Sequence, residues 1–159
     1  MKLWHKAFFQ IQIIVNAIYS SIIVYVGLIY FIHISPASSP GQPQQIMFFV
    51  LLVMALATFP IAIVVGGRRM SSEKLTSAFR GESDRERGLN VAVSHARTGA
   101  IIMAALGEVS AIYGLIFYFL SGDSIRPWVF IALSVVHYAL TMMKLRGARE
   151  DIDRLSQGN

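Results

Sequence analysis

Cysteine is absent from this chain of 159 residues, and charged residues make up only 14% of it. Without thiols, disulfides and thiolate metal sites are excluded. The scarcity of charge excludes an ordinary soluble domain, because 55% of the residues are hydrophobic and most of these fall in four long blocks. We therefore expect a single membrane domain over residues 1–159.

Motifs that carry enzyme chemistry are missing as well. The sequence has no glycine-rich phosphate loop and no HExxH zinc motif. Its four histidines, His5, His33, His95 and His137, are too scattered to suggest a metal site. We expect no enzyme activity, no cofactor and no metal.

Each of the four apolar blocks has the length of a membrane span, which needs about 20 residues. We predict an all-α polytopic membrane protein with four transmembrane helices, arranged as two hairpins with a helical cytoplasmic loop between them. The spans are expected at residues 11–34, 46–65, 99–121 and 127–144. The basic N-terminus resembles that of a signal peptide, but the apolar stretch after it is longer than ~7–15 residues, which indicates a retained span.

The polar segment 66–98 is expected to be largely helical. Ser83 and Glu86 have the spacing of a capping box, which predicts a helix from about Asp84 that runs without a break into the third span. Residues 145–159 are expected to form a charged tail.

The second span contains a proline, Pro60, which predicts a kink. Beyond the kink, the same helix is expected to continue to about Phe79, before Gly81 ends it.

Basic residues are distributed very unequally around the spans. One predicted side holds Lys2 and Lys6, seven residues within 66–98, Lys144 at the end of the last span and three residues after it, and Arg126 alone lies on the other side. Since cytoplasmic segments carry an excess of Lys and Arg, both termini and the long loop should be cytoplasmic. This placement also argues against nucleic acid as a partner for the net charge of +5. The expected partners are the lipid bilayer and either further copies of the chain or other subunits of a membrane complex.

Residues 25–35 parallel residues 112–122, with Gly27 matching Gly114. The parallel suggests two hairpins in the same orientation, related by an axis along the membrane normal. Chance similarity between apolar sequences explains it about as well.

Glu108 is the only formal charge within residues 99–121. A charged side chain at that depth costs at least ~2.5 kcal/mol by insertion scales. Two explanations remain open. The carboxyl either takes part in ion or proton chemistry, or it holds helices together by hydrogen bonding.

Other polar side chains in the spans fall on helical faces. Spacings of three, four and seven place Ser134, His137, Tyr138 and Thr141 on one face of the fourth span, and Asn16 with Ser20 on one face of the first. We expect these faces, and Thr58 in the second span, to point into the bundle. At 1.5 Å per residue, Glu108, Ser134 and Ser20 lie at similar depths of ~15 Å, and His137 lies at ~10 Å, so a contact of Glu108 with His137 or Ser134 is geometrically allowed.

The third span resembles the carboxyl-bearing helix of the c subunit, the proteolipid of rotary ATP synthases. Small residues lead to an acidic residue that Ile-Tyr-Gly-Leu follows, and the matching positions are Ala104, Ala105, Glu108, Ile112, Tyr113, Gly114 and Leu115. The resemblance implies that Glu108 is a reversible proton or sodium site, with Tyr113 beside it.

Two functions follow from these observations. In the first, the protein moves protons or cations, and Glu108 is the carrier with His137, Ser134, Ser20 and Asn16 around it. In the second, it is a non-catalytic accessory or assembly subunit of a larger membrane complex, and Glu108 only locks the bundle.

Overall fold

The computed structural model describes residues 3–32 and 42–157, and this part of the chain is helical without any strand. The all-α prediction is confirmed. The helices are α1 (Leu3–Phe31), α2 (Gln42–Ile61), α3 (Ser72–Arg80), α4 (Arg85–Ser121) and α5 (Pro127–Gln157), and a π-helical segment, Ala62–Gly67, follows α2. Four stretches are long and apolar enough to cross a membrane: α1, the stretch from α2 to the end of α3, α4, and α5.

The two longest helices exceed what a bilayer needs. α4 has 37 residues and α5 has 31, which is ~56 Å and ~46 Å against a hydrocarbon core of ~30 Å. Both therefore project beyond any membrane slab that they cross. The sequence 145–157, expected as a tail, continues α5 as regular helix.

One end of the bundle gathers the start of α1, the start of α4 and the end of α5. Arg85 Nη2 donates to the carbonyl of Ser156 at 2.6 Å, and Arg149 Nη2 lies 3.5 Å from His5 Nδ1. Among the described residues, every Lys and Arg except Arg126 lies toward this end. We call it the basic end.

α4 is the central helix and touches all the others. Small residues permit this closeness. At Gly107, a Cβ atom would meet the Tyr19 hydroxyl and lie 2.7 Å from His137 Cβ. At Gly114, it would lie 2.9 Å from Phe130 Cβ. The two glycines therefore seat α1 and α5 against α4.

The second span does not bend simply at Pro60. Pro60 lacks the N–H that would close an α-helical turn, and the helix rewinds two residues later into π-helical turns over Ala62–Gly67. This segment packs against α4, where a Cβ at Gly99 would lie 2.6 Å from the Gly66 carbonyl oxygen. The continuous helix expected as far as Phe79 is wrong, because the chain turns before Ser71, whose side chain accepts from the Lys74 N–H and caps α3.

α4 begins one residue later than the capping box implies. Asp84 is the N-cap, and its Oδ1 accepts from the Glu86 N–H at 3.0 Å. The expectation that Ser83 caps this helix is therefore wrong. A carboxylate at this position also interacts favourably with the positive end of the helix dipole, which a serine does not. The predicted unbroken run into the third span is confirmed.

The packing of the helices is uneven. α5 lies along α4, and α1 also packs mainly on α4, whereas α1 and α2 have almost no contact with each other. The arrangement in two hairpins across a membrane stays a prediction. Large apolar side chains face outward along the long helices, most of all on α2, which exposes Ile46, Phe49, Val50, Val53, Met54, Leu56 and Ile61. A continuous apolar exterior of this kind is typical of a surface that lipid or another protein covers.

Candidate functional site

Glu108 lies about two thirds of the way along α4 and is half-buried. The hydroxyl of Tyr25 donates to Glu108 Oε1 at 2.9 Å. Tyr25 belongs to α1, so this hydrogen bond joins the two helices. Within the described part of the chain, Glu108 Oε2 makes no hydrogen bond.

The structure does not bring Glu108 to Ser134 or His137. Ser134 Oγ donates instead to the carbonyl of Gly107 at 2.8 Å. The reason is rotational, because an α-helix turns by about 100° per residue. Gly107 therefore lies against both α5 and Tyr19 of α1, while Glu108, one residue later, points away from α5 toward Tyr25. Ser134 and Gly107 lie level with each other along the bundle, but the contact of Glu108 with Ser134 or His137 that similar depths allowed is not made.

His137 is only 1% exposed. Its ring centroid lies 3.7 Å from that of Phe59 on α2. The backbone carbonyls of Leu133 and Thr58 are near enough to act on the ring electrostatically, but neither ring nitrogen makes a hydrogen bond of ordinary geometry within the described residues. Phe59, Gly107, His137 and Tyr19 thus form one layer in which all four long helices meet.

The polar face of α5 makes contacts with α1. Tyr19 and Tyr138 pack edge to face with ring centroids 4.8 Å apart, and the Tyr19 hydroxyl lies 3.4 Å from Thr141 Oγ1. Ser134, His137 and Thr141 are fully buried, so the predicted inward direction is confirmed for these three, whereas Tyr138 is only half-buried. Thr58 is also buried, as expected.

Asn16 and Ser20 do not point into the bundle, and that expectation is wrong. Both side chains are exposed. Ser20 Oγ donates to the Ala17 carbonyl of its own helix at 2.6 Å, a local bond that lets a serine face an apolar surface. Asn16 Oδ1 accepts from the Tyr138 hydroxyl at 3.1 Å.

Tyr113 is also remote from Glu108. It lies on the side of α4 that faces α2, half-buried against the cluster of Ala55, Phe117 and Phe130. Of the predicted site residues, only Glu108 faces Tyr25. His137 and Ser134 lie in the layer of Gly107, and Asn16 and Ser20 lie on the outside of α1.

Beside Glu108, one face of α4 is open. α1 and α2 scarcely touch, and Ala105, Ile116 and Phe119 are exposed. Their spacing places them on one stripe of α4, bordered by Glu108. Ile116 is 40% exposed and Phe119 is 44% exposed. We call this the open stripe of α4.

Sequence reasoning missed Tyr25 and Tyr19 as polar members of the bundle. A signal for both was present, since a buried tyrosine hydroxyl usually finds a hydrogen-bond partner. Within residues 3–32 and 42–157, no three His, Asp or Glu side chains come together as a metal site would require.

Comparison with known proteins gives no match to a family model, to a curated protein or to a solved structure. The resemblance of the third span to ATP synthase c subunits therefore stays a prediction.

Proposed function

We propose that this chain is a non-catalytic subunit of a membrane complex, and that Glu108 serves as a helix contact. The observation that carries the proposal is the pairing of polar side chains between helices. Tyr25 bonds Glu108, Ser134 bonds the Gly107 carbonyl, and Tyr118 bonds the Ile32 carbonyl. Each bond ties α1 or α5 to the central helix α4.

A polar path for ions finds less support in this arrangement. A carrier site needs several polar groups around one position, and the six predicted site residues are divided among four separate places. Hydrogen bonds between membrane helices are worth about 0.6 kcal/mol each on average, so several are needed to fix the orientation of one helix against another. The bonds seen here are of that kind.

The open stripe of α4 supports the assignment to a complex. A carboxyl oxygen that faces hydrocarbon without a hydrogen bond is costly, and Glu108 Oε2 borders this stripe without a partner among the described residues. A helix with small side chains and a hydroxyl group would cover the stripe and form a hydrogen bond with Glu108, because a hydroxyl can donate to a carboxylate and can accept from a protonated carboxyl or from the amide of a glutamine. The helix would come from another subunit or from a second copy of the chain.

A second function, proton or cation transfer by Glu108, is favoured by one specific observation. The carboxyl is half-buried, is held by a single hydrogen bond and borders the open stripe. A proton or ion could therefore reach it from the side of α4 without unfolding the bundle. This is also the role that the resemblance to c subunits implies.

Replacement of Glu108 distinguishes the two functions. Glu108→Gln keeps the size of the side chain and an oxygen that accepts from Tyr25, but it cannot release a proton. If the subunit function is correct, Glu108→Gln will fold normally and co-purify with the same proteins as the wild type after gentle extraction from its native membrane. Glu108→Leu will lose those proteins.

Measurements of proton and sodium flux test the second function, transport by Glu108. Wild-type protein and Glu108→Gln are reconstituted in liposomes with a pH-sensitive dye, and the experiment is repeated with a sodium gradient. Equal rates in both preparations support the subunit function. A wild-type flux that Glu108→Gln abolishes, with folding intact by circular dichroism, overturns it in favour of transport.

A further inference from the structure

Two hollows lie one after the other between α1 and α5, from the basic end toward the middle of the predicted spans, and we treat them as one groove that the Tyr138–Asn16 hydrogen bond crosses. Its outer part, with a volume of about 190 Å³, is lined by Phe8, Gln12, Met142, Leu145, Arg146 and Arg149. Its inner part, of about 290 Å³, lies between Asn16 and Ile23 on α1 and between Val135 and Tyr138 on α5. The two parts follow one another along the same faces of both helices, because α1 and α5 touch only sparsely.

We propose that this groove, which we call the α1–α5 groove, binds one anionic phospholipid. The headgroup phosphate would lie between Arg146 and Arg149, and an acyl chain would lie along Ile23 and Val135. The inference is independent of the proposed function, since it uses neither Glu108 nor the open stripe of α4.

The mouth of the groove has the charge that a phosphate requires. Arg146 and Arg149 are exposed and form no ion pair with any described acidic residue. Arg149 is held at the mouth by its contact with His5, and Gln12 adds an uncharged donor opposite. Arginine guanidinium groups are well suited to phosphate because they can offer two parallel N–H donors. Both arginines also lie just beyond the predicted end of the fourth span, at the depth of lipid headgroups.

The middle of the groove contains a hydrogen-bond donor, the side-chain amide of Asn16, one helical turn further from the basic end than Gln12. Asn16 accepts from the Tyr138 hydroxyl through Oδ1, which leaves its two amide N–H groups without a partner among the described residues. Asn16 lies one helical turn after Gln12, or ~6 Å further along α1. A phospholipid presents its ester carbonyls, which are acceptors, just inside the phosphate.

The inner part of the groove matches an acyl chain. Ile23 and Val135 are 74% and 52% exposed, and Ile22 lies at the floor. The lining thus changes from cationic through amide to apolar over ~16 Å of helix, from Gln12 to Ile23. An anionic phospholipid has the same sequence of chemistry. A partner helix would leave the two arginines without counter-ions unless it carried acidic residues at the same level.

The experiment counts bound lipid on the intact protein. Protein purified in a mild detergent is titrated with phosphatidylglycerol, and native mass spectrometry measures the bound fraction. We expect one phosphatidylglycerol to bind well above the level of phosphatidylcholine. The double substitution Arg146→Gln and Arg149→Gln should weaken that binding about thirtyfold, as the attraction expected of two basic residues at an anionic surface implies.

A matched control removes the same charge elsewhere. Arg68 and Arg69 are exposed at the same end but do not line the groove, so Arg68→Gln with Arg69→Gln should change the affinity less than threefold. Val135→Trp, which fills the inner groove and leaves both arginines in place, should also weaken binding at least tenfold.

Three results would overturn the proposal. They are equal affinity for phosphatidylcholine, equal losses in the two double variants, and displacement of the lipid by glycerol 3-phosphate alone at millimolar concentration. The last result would mean that the mouth binds a free phosphate ester and that the apolar groove contributes nothing.

Discussion

The hydroxyl of Tyr25 donates to Glu108 across 83 positions of sequence, with an oxygen-to-oxygen distance of 2.9 Å. The bond connects the first long helix with the third. It also uses the only carboxyl in the predicted third span for contact between helices. Tyr25 and Glu108 therefore form the pair on which the function of this protein can first be tested.

Substitution of Tyr25 should destabilise the bundle slightly and specifically. Tyr25→Phe removes the donor to Glu108 and keeps the ring, so we expect the free energy of unfolding to fall by about 0.6 kcal/mol, the average for hydrogen bonds between membrane helices. The measurement is reversible unfolding in mixed micelles. Tyr30→Phe is the matched control, because Tyr30 is 70% exposed on the same helix.

A double-mutant cycle separates this bond from other effects. Tyr25→Phe should cost nothing further once Glu108→Leu has removed the acceptor. Additive losses in the double variant would show that the two side chains do not interact.

Glycine contacts of α4 should be intolerant of a methyl group. In Gly99→Ala, the new Cβ would lie 2.6 Å from the Gly66 carbonyl oxygen. Since backbone must move to relieve the contact, we expect a loss of about 1–3 kcal/mol. Gly147→Ala is the control. Nothing lies within 4 Å of a Cβ there, and the better helix propensity of alanine should stabilise α5 by up to ~1 kcal/mol. Thermal unfolding measures the stability of both variants. If Gly99→Ala were as stable as the wild type, the close contact between Gly99 and the Gly66 carbonyl oxygen would be contradicted.

The start of α4 should depend on Asp84 and not on Ser83. Loss of the side chain that accepts from the Glu86 N–H should cost about 1 kcal/mol in Asp84→Ala. Hydrogen exchange at the amides of residues 86–88 should be faster in that variant. Ser83→Ala should leave both stability and exchange unchanged. If Ser83→Ala produced the larger effect, the capping box predicted from the sequence would be correct after all.

Opposite sides of the membrane are expected for Ser77 on α3 and Ser124 after α4. Because the chain has no cysteine, Ser77→Cys and Ser124→Cys each introduce a single reactive thiol, and both positions are exposed. An impermeant maleimide should label Ser124→Cys in intact cells and Ser77→Cys only after permeabilisation. Labelling of both from one side would rule out the predicted topology.

The sequence predicts the helices well because their causes are local. Long apolar runs define the four spanning stretches, and Gly122, with φ 66°, ends α4 at the predicted end of the third span. Asp84 differs from the predicted cap by one residue. The π-helical turns after Pro60 were not predicted, since a proline indicates that a helix is disturbed but not how it continues.

The candidate site was less predictable because it depends on rotation of one helix against another. Depth along α4 could be counted from the sequence, but an error of one residue changes direction by about 100°. The polarity of Asn16 and Ser20 predicted that both point into the bundle, and this was wrong. Because α1 packs on α4 with another face, these two side chains lie beside the α1–α5 groove and are exposed. The choice of α4 over α2 as the neighbour of α1 is a tertiary property that no local pattern encodes.

The packing of α1 against α4, and not against α2, has a consequence for biosynthesis. A ribosome that adds 5–20 residues per second needs about 4 to 17 s to progress from Tyr25 to Glu108. During that time α1 is already made, while the helix that accepts its hydroxyl group is not. In the predicted topology, the first helix therefore stays in contact with lipid or with an insertion factor until the third is made, and it is open to membrane proteases throughout that interval.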